Sequence, residues 1–258
     1  MLPDVLPAPT SVTSVTSVTS VTSVMFDVST KLLLLAVASA SLVACDDDPA
    51  APDGGVVPCE VAAAQRYLPL AVGASWTYDT SDQGAPVVRK ATTVEELEDV
   101  GDRKKGVTAF RIRTDKVAGH VVSWQQDLCT SIVRHRERSF DAAGVLLTDQ
   151  FYVPGKLRVD ESAAHLAMGA TFSTEYTEVE VDPVKGTTTV SKQETWTVEA
   201  TSEMVTVPAG TFPCLKLRKI TSGQADKRFW FSLGVGKIKE EGEQLELLTA
   251  YTLPPSMP

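Results

Sequence analysis

The stretch Thr108-Ala109-Phe110-Arg111-Ile112-Arg113-Thr114 decides the fold. Phe110 and Ile112 alternate with Arg111 and Arg113, a period of two that sends one residue type to each face of a pleated strand. Glu178-Val179-Glu180-Val181 repeats the pattern further on. One wet face and one buried face indicate antiparallel sheet, because parallel sheets are covered on both sides.

Working outward, stretches rich in Val, Thr, Ile and aromatic residues recur as far as the C-terminal end. Strands are expected near 75–80, 87–97, 108–114, 121–127, 131–140, 145–153, 171–181, 188–200, 204–207, 214–221, 227–232, 236–240 and 245–252. Asp82-Gln83-Gly84, Ala143-Gly144, Pro154-Gly155 and Ser222-Gly223 supply the turns. Helix is expected only at 61–66 and 160–168, both short. With no strand–helix–strand alternation, a parallel doubly wound sheet is not expected. A sheet of so many strands must curl, close or split into two layers. The expected fold class is all-β with small helical additions: a large curved antiparallel sheet, a half-barrel or open barrel, with a sandwich as the second choice.

Upstream of this domain the chain is of a different kind. Residues 11–22 are four copies of Ser-Val-Thr, a repeat with no packing logic, and Met25 follows shortly after. A start at Met25 gives a signal peptide over 25–44, leaving 1–24 as a doubtful upstream or disordered segment. Lys31 precedes an apolar run, 32–43, too short to cross a bilayer and suited to the core of a signal peptide. The run ends in Leu42-Val43-Ala44-Cys45. This resembles the bacterial lipobox: Leu, a small or β-branched residue, Gly or Ala, then Cys. The resemblance implies cleavage between Ala44 and Cys45 and lipid on Cys45. It makes the membrane a partner through that lipid and places the chain in the bacterial cell envelope. Two or three acyl chains anchor stably where one holds only marginally. Residues 45–60 then form a lipidated cysteine and a flexible acidic linker, containing Asp46-Asp47-Asp48 and several Pro and Gly. That acid run lacks the Gly and Glu of a calcium loop. Residues 61–258 are expected to form a single β-rich domain.

Composition narrows the function. The 258 residues carry a net charge of -9 with 43% hydrophobic residues, enough for a real core and the wrong sign for nucleic acid. There are four cysteines. With Cys45 lipidated, at most one bridge can form among Cys59, Cys129 and Cys214. Cys214 lies in an apolar alternation and reads as a small core residue. The expected disulfide is Cys59 with Cys129, worth roughly 4 kcal/mol by loop closure; the alternative is three buried free thiols.

Three short motifs carry a further resemblance. They are Gly73-Ala74-Ser75-Trp76-Thr77-Tyr78, Val207-Pro208-Ala209-Gly210-Thr211-Phe212 and Gly234-Val235-Gly236. Together they resemble an uncharacterised family of bacterial lipoproteins with Gly-x-x-Trp-x-Tyr, Val-Pro-Ala-Gly-Thr-Phe and Gly-Val-Gly motifs. That family carries no defined activity, so the resemblance bears on fold more than on function. Physically, Pro208 and Gly210 suit a strand-to-strand turn, and Gly234 and Gly236 a tight bend. Gly-Val-Gly lacks the further glycine and the helix of a phosphate loop.

Signals of chemistry are few. His120, His135 and His165 fit no zinc spacing, no Cys-x-x-Cys occurs, and no Gly-x-Ser-x-Gly elbow is present. No metal and no cofactor is expected. Arg134, Arg136 and Arg138 alternate and should share one strand face, either an anion or acidic-lipid site or, more simply, a charged solvent face. Trp76, Trp124, Trp196 and Trp230 should pack in the core; alternatively they line an apolar, ligand-accepting concavity. The expected function is a lipid-anchored envelope module that binds a ligand or an envelope protein, or is structural, without catalysis. The alternatives are a lipid or lipoprotein carrier using an apolar concavity, an analogy of architecture to Lol-type carriers alone, and a hydrolase uniting a histidine with a carboxylate and a serine.

Overall fold

A computed structural model describes residues 63–82 and 85–255. The Ser-Val-Thr repeat, the segment expected to be a signal peptide, Cys45, Cys59 and the expected acidic linker lie outside the described residues. After a 3-10 turn, Ala63–Gln65, the chain runs through twelve strands: β1 (Ser75–Ser81), β2 (Val88–Asp99), β3 (Thr108–Lys116), β4 (Gly119–Asp127), β5 (Ser131–Asp141), β6 (Leu146–Asp160), β7 (Thr171–Asp182), β8 (Gly186–Val207), β9 (Gly210–Thr221), β10 (Lys227–Ser232), β11 (Gly236–Glu241) and β12 (Leu245–Thr252). A second 3-10 turn, Asp102–Lys104, lies between β2 and β3, and α-helix among the described residues is confined to one short turn between β6 and β7, α1 (Ala163–Leu166).

Each strand pairs antiparallel with its neighbours in sequence, and β1 pairs with β12, so the sheet closes into an up-and-down barrel. The expected all-β curved sheet forms, and it goes on to close, with the β6–β7 pairing confined to Asp149–Val153 and Thr177–Val181. The strand expected at 188–200 and the one at 204–207 are a single strand, β8, bent where its register with β9 slips between Val198 and Glu203. Beyond that bend the β8–β9 hairpin packs Val205, Val207 and Cys214 with Trp230, Ile238 and Leu248. Its two-residue turn, Pro208-Ala209, donates the Ala209 N–H to the Leu248 carbonyl at 3.0 Å.

Alternation and register assign the faces. Ile112 pairs with Ser123, Ser123 with Glu137 and Glu137 with Gln150, a row directed into the lumen. Arg111 and Arg113, between those positions on β3, point outward and pair with Glu95, Glu96 and Asp115. Lys216, Arg218 and Arg228 also lie on the outward face, ion-paired with Glu199, Asp226 and Glu199 in turn. On β3, β9 and β10 the outward face thus carries ion-paired charge.

Apolar packing concentrates at the end of the barrel where β1 begins. Leu68 and Leu70, from the segment leading into β1, pack there with Phe229, Phe231, Trp196 and Leu217. Arg66 fastens the segment through ion pairs to Asp127 (2.8 Å) and Glu161 (2.7 Å). The Glu161 carboxylate also accepts the N–H groups of Tyr67 and Leu68. This segment forms a floor. The opposite rim carries the short turns, including those after Lys116 and before Lys227.

Candidate functional site

Within the barrel lies a cavity of about 290 Å³. Residues from β1 to β6 and from β10 to β12 line it, and only the lumen is reached from so many strands. Its floor and one wall are apolar: Leu68, Leu70, Trp76, Ile112, Val121 and Phe231. The rest is charged. Lys90, Lys116, Arg134, Arg158, Lys227 and Lys237 face Glu137, Glu240 and Glu246, six cations against three carboxylates inside a chain whose net charge is -9.

The strands position these groups in two clusters. In the first, Glu246 on β12 stands between Lys90 on β2 and Lys237 on β11; it pairs with Lys90 and lies 2.6 Å from Lys237, which also holds Glu240 at 2.5 Å. Burial alone would raise the Glu246 carboxyl, but Lys237 and Lys90 outweigh it and hold it down at about 2. Glu240 is held low for the same reason, chiefly by Lys237. Lys90 is pushed down to about 8 by burial and then by the neighbouring Lys237, so the cluster tolerates its second ammonium only partly. Tyr78 donates its hydroxyl to the Lys237 carbonyl at 3.0 Å, fixing the floor of the cluster.

The second cluster joins β5, β6, β8 and β9. Arg134 pairs with Glu137, and Lys219 with the fully buried Glu194 at 2.8 Å. Lys156 stands over the rings of Tyr152 and Tyr176. Burial, then Lys219, pushes the Lys156 ammonium down to about 8. Arg158 differs from the others. Among the described residues its guanidinium makes no ion pair or hydrogen bond, and its Nε is buried without a partner. Burial and then Arg134 lower its pKa, with the carboxylates of Glu240, Glu137 and Glu194 acting from a distance.

The arginines expected on one face are divided between two. The register of β5 slips between Arg134 and Arg136, so His135 is an extra residue there. A one-residue bulge reverses every side chain beyond it. Arg134 therefore enters the lumen, while Arg136 and Arg138 point outward and share Asp149, at 2.6 Å and 3.0 Å. Arg136 also lies over Trp124 and Phe151 and donates to the Val100 carbonyl, a packed buttress rather than an anion site.

The tryptophans part in the same way. Trp76 lines the cavity, and its indole N–H donates to the Val235 carbonyl at 2.6 Å. Trp196 faces inward but is consumed by packing against Phe229. Trp124 and Trp230 face outward, under the 99–107 loop and under the β8–β9 hairpin, bonded to Glu98 and Glu203. The four do not form one ligand wall. Lys90, Arg158, Lys237, Glu240 and Glu246 belong to no catalytic or ligand-binding motif. The inward period-two positions of their strands were the one signal that could have gathered them, and it becomes usable only once the register is known.

The histidines stand apart. His120 stacks on Phe140, and His135 bonds Gln126 at 2.9 Å, its pKa pushed down to about 4 by burial and then Lys104. His165 bonds Asp160 at 2.8 Å and stacks on Phe172. Ser162 is close by, and its backbone N–H bonds the other oxygen of the Asp160 carboxylate at 2.9 Å. A nucleophilic relay needs histidine between serine and carboxylate, and here the carboxylate lies between serine and histidine. The arrangement tethers α1.

No family model and no curated protein matches the chain. Two crystal structures overlap it loosely. One is a Bacteroides fragilis protein described as exported and of YmcC-like fold, 11% identical, with a TM-score of 0.34 over 72% of this chain and 98% of that one. The other is a Parabacteroides distasonis protein described as a lipoprotein, 12% identical, with a TM-score of 0.35 over 72% and 98%. Overlaps at this level identify neither activity nor ligand.

Cys214 is a free, fully buried thiol, its pKa pushed up to about 12 by burial and then Glu203. Cys129 is disulfide-bonded, and its partner lies outside the described residues.

Proposed function

We propose that this chain is a bacterial cell-envelope lipoprotein, held in a membrane by lipid on Cys45, whose barrel is a non-catalytic binding module. The anchor is supported by Leu42-Val43-Ala44-Cys45 and the acidic linker after it. The observation that carries the binding role is the half-open lumen, with an apolar floor and fixed polar groups converging above it, the ordinary composition of a ligand site. The dispersal of His120, His135 and His165 supports a role without catalysis. A carrier of acyl chains would need a continuous apolar concavity, and nine charged side chains line this one. We also propose Cys59 as the partner of Cys129.

The anchor is tested on protein extracted from the membranes of its own bacterium. Mass spectrometry should find Cys45 as the N-terminal residue, carrying diacylglycerol and an amide-linked acyl group. The Cys45→Ser variant should leave the membrane fraction. An unmodified Cys45, or membrane retention of C45S, would defeat the reading. Hydrolysis of a p-nitrophenyl ester that is abolished by His165→Ala would defeat the non-catalytic part.

A further inference from the structure

We propose that the lumen binds a small organic oxyanion, a carboxylate or a phosphate monoester, through Arg158, with the apolar part of the ligand against Trp76, Ile112 and Phe231. The argument begins with charge. Arg134 is committed to Glu137, Lys237 to Glu240 and Glu246, Lys90 to Glu246, and Lys227 to Glu243. Arg158 and Lys116 line the same cavity with no ion pair among the described residues. Lys116, the last residue of β3, is exposed at the rim, where water satisfies it. Arg158 is two residues from the end of β6, on the floor side, with a buried Nε that has no partner.

Arg158 is half-buried, and an unpaired guanidinium in a barrel lumen is costly, because its charge is partly stripped of water and its buried Nε–H finds no acceptor. Such a group persists where something absent from the free protein completes it. A guanidinium presents donors in a planar fork that matches a carboxylate or a phosphate with two parallel hydrogen bonds. The surrounding charge agrees, with six cations lining the cavity against three carboxylates. This excess lies inside a chain of opposite net sign, so it is local to the lumen. The volume, about 290 Å³, lies at the small end of ligand pockets, which favours a compact molecule. Trp76, Ile112 and Phe231 supply apolar surface in the same cavity as the cation, so a ligand with both an acid group and a hydrocarbon part is matched better than a bare inorganic ion.

The inference rests on the binding-module reading but not on the anchor. Calorimetric titration of the purified protein with octanoate, octyl phosphate, octanol and inorganic phosphate tests it. One-to-one binding of octanoate or octyl phosphate, at least tenfold tighter than octanol and than inorganic phosphate, is expected. Whichever of the two acids binds more tightly names the group. Equal binding of octanol, or no binding by either acid, overturns the site and leaves lipid on Cys45 untouched. Arg158→Met should lose at least tenfold in affinity, yet melt at or above the temperature of the unliganded wild type, since it removes an unpaired charge. Unchanged affinity, or a lower melting temperature with affinity retained, makes Arg158 structural and overturns the proposal. Should that variant not fold, the wild-type comparison of acids with octanol decides alone.

Discussion

At Gly236 a β-carbon would fall 2.8 Å from the indole nitrogen of Trp76, and the backbone sits at a φ of +112°. Two motifs far apart in the chain are therefore one contact: the glycine leaves room for the tryptophan, whose N–H bonds the Val235 carbonyl. Gly236→Ala should lower stability by about 1–3 kcal/mol through overpacking, measured by urea denaturation with Trp fluorescence. The sequence marked both residues, the glycine for a tight bend and the tryptophan for the core or for a ligand-lining wall. It could not show that they touch, because a turn glycine and a packing glycine look alike. Glu246 is a second case of hidden partnership. Its folded pKa of about 2 lies below the ordinary carboxyl value, so its contribution to stability is present above pH 4.5 and is lost as pH falls from there toward 2. Burial opposes that depression, and Lys237 and then Lys90 outweigh it. Acid unfolding followed by circular dichroism should show this limb in the wild type. In Glu246→Gln, which leaves two lysines facing a neutral group, stability at pH 7 should fall by about 3–5 kcal/mol and the limb should flatten.

At the scale of elements, strands were easier to read than their faces. The alternation at Phe110 to Arg113 is uninterrupted, and β3 forms as expected. The same rule applied to Arg134, Arg136 and Arg138 put one residue on the wrong side, because the bulge at His135 is invisible in an unbroken alternation. The lumen also mimics a solvent face: Lys90, Arg134 and Lys237 have the polarity expected of outward positions, although all three line the cavity. The segment that leads into β1 gave no more signal than a short helical turn, yet it forms the floor. Its hold depends on Arg66. Arg66→Ala would leave the Glu161 carboxylate without its cation and should cost about 3–5 kcal/mol. Hydrogen exchange should locate the effect, with the amides of Tyr67 and Leu68, now bonded to Glu161, losing protection first.

For the whole molecule, antiparallel all-β architecture was legible from periodicity and turn residues, and closure was not. Closure depends on β1 meeting β12, a pairing across nearly the whole domain that no local pattern records. The cysteines belong to this scale too. A Cys59–Cys129 bridge would close a long loop and contribute roughly 4 kcal/mol, so Cys59→Ser and Cys129→Ser should each lower the denaturation midpoint by the same amount, with Cys45→Ser neutral. A loss on removing Cys45 with none on removing Cys59 would reassign the bridge.

The ladder order has a consequence for how the chain folds. Eleven of the twelve strand pairings join neighbours in sequence and can form as local hairpins, whereas the β1–β12 pairing must wait for the last strand. The entropy of closing so long a loop falls on that one step, which makes it the slow one. Until β12 docks, Lys90 and Lys237 lack the carboxylate that stands between them in the finished barrel. The closing strand therefore carries its own register key: Glu246 opposite Thr80 neutralises both lysines, and a shift by one residue would turn it outward. In refolding experiments, changes at Glu246 should slow the final phase while leaving the early hairpin phases unaltered.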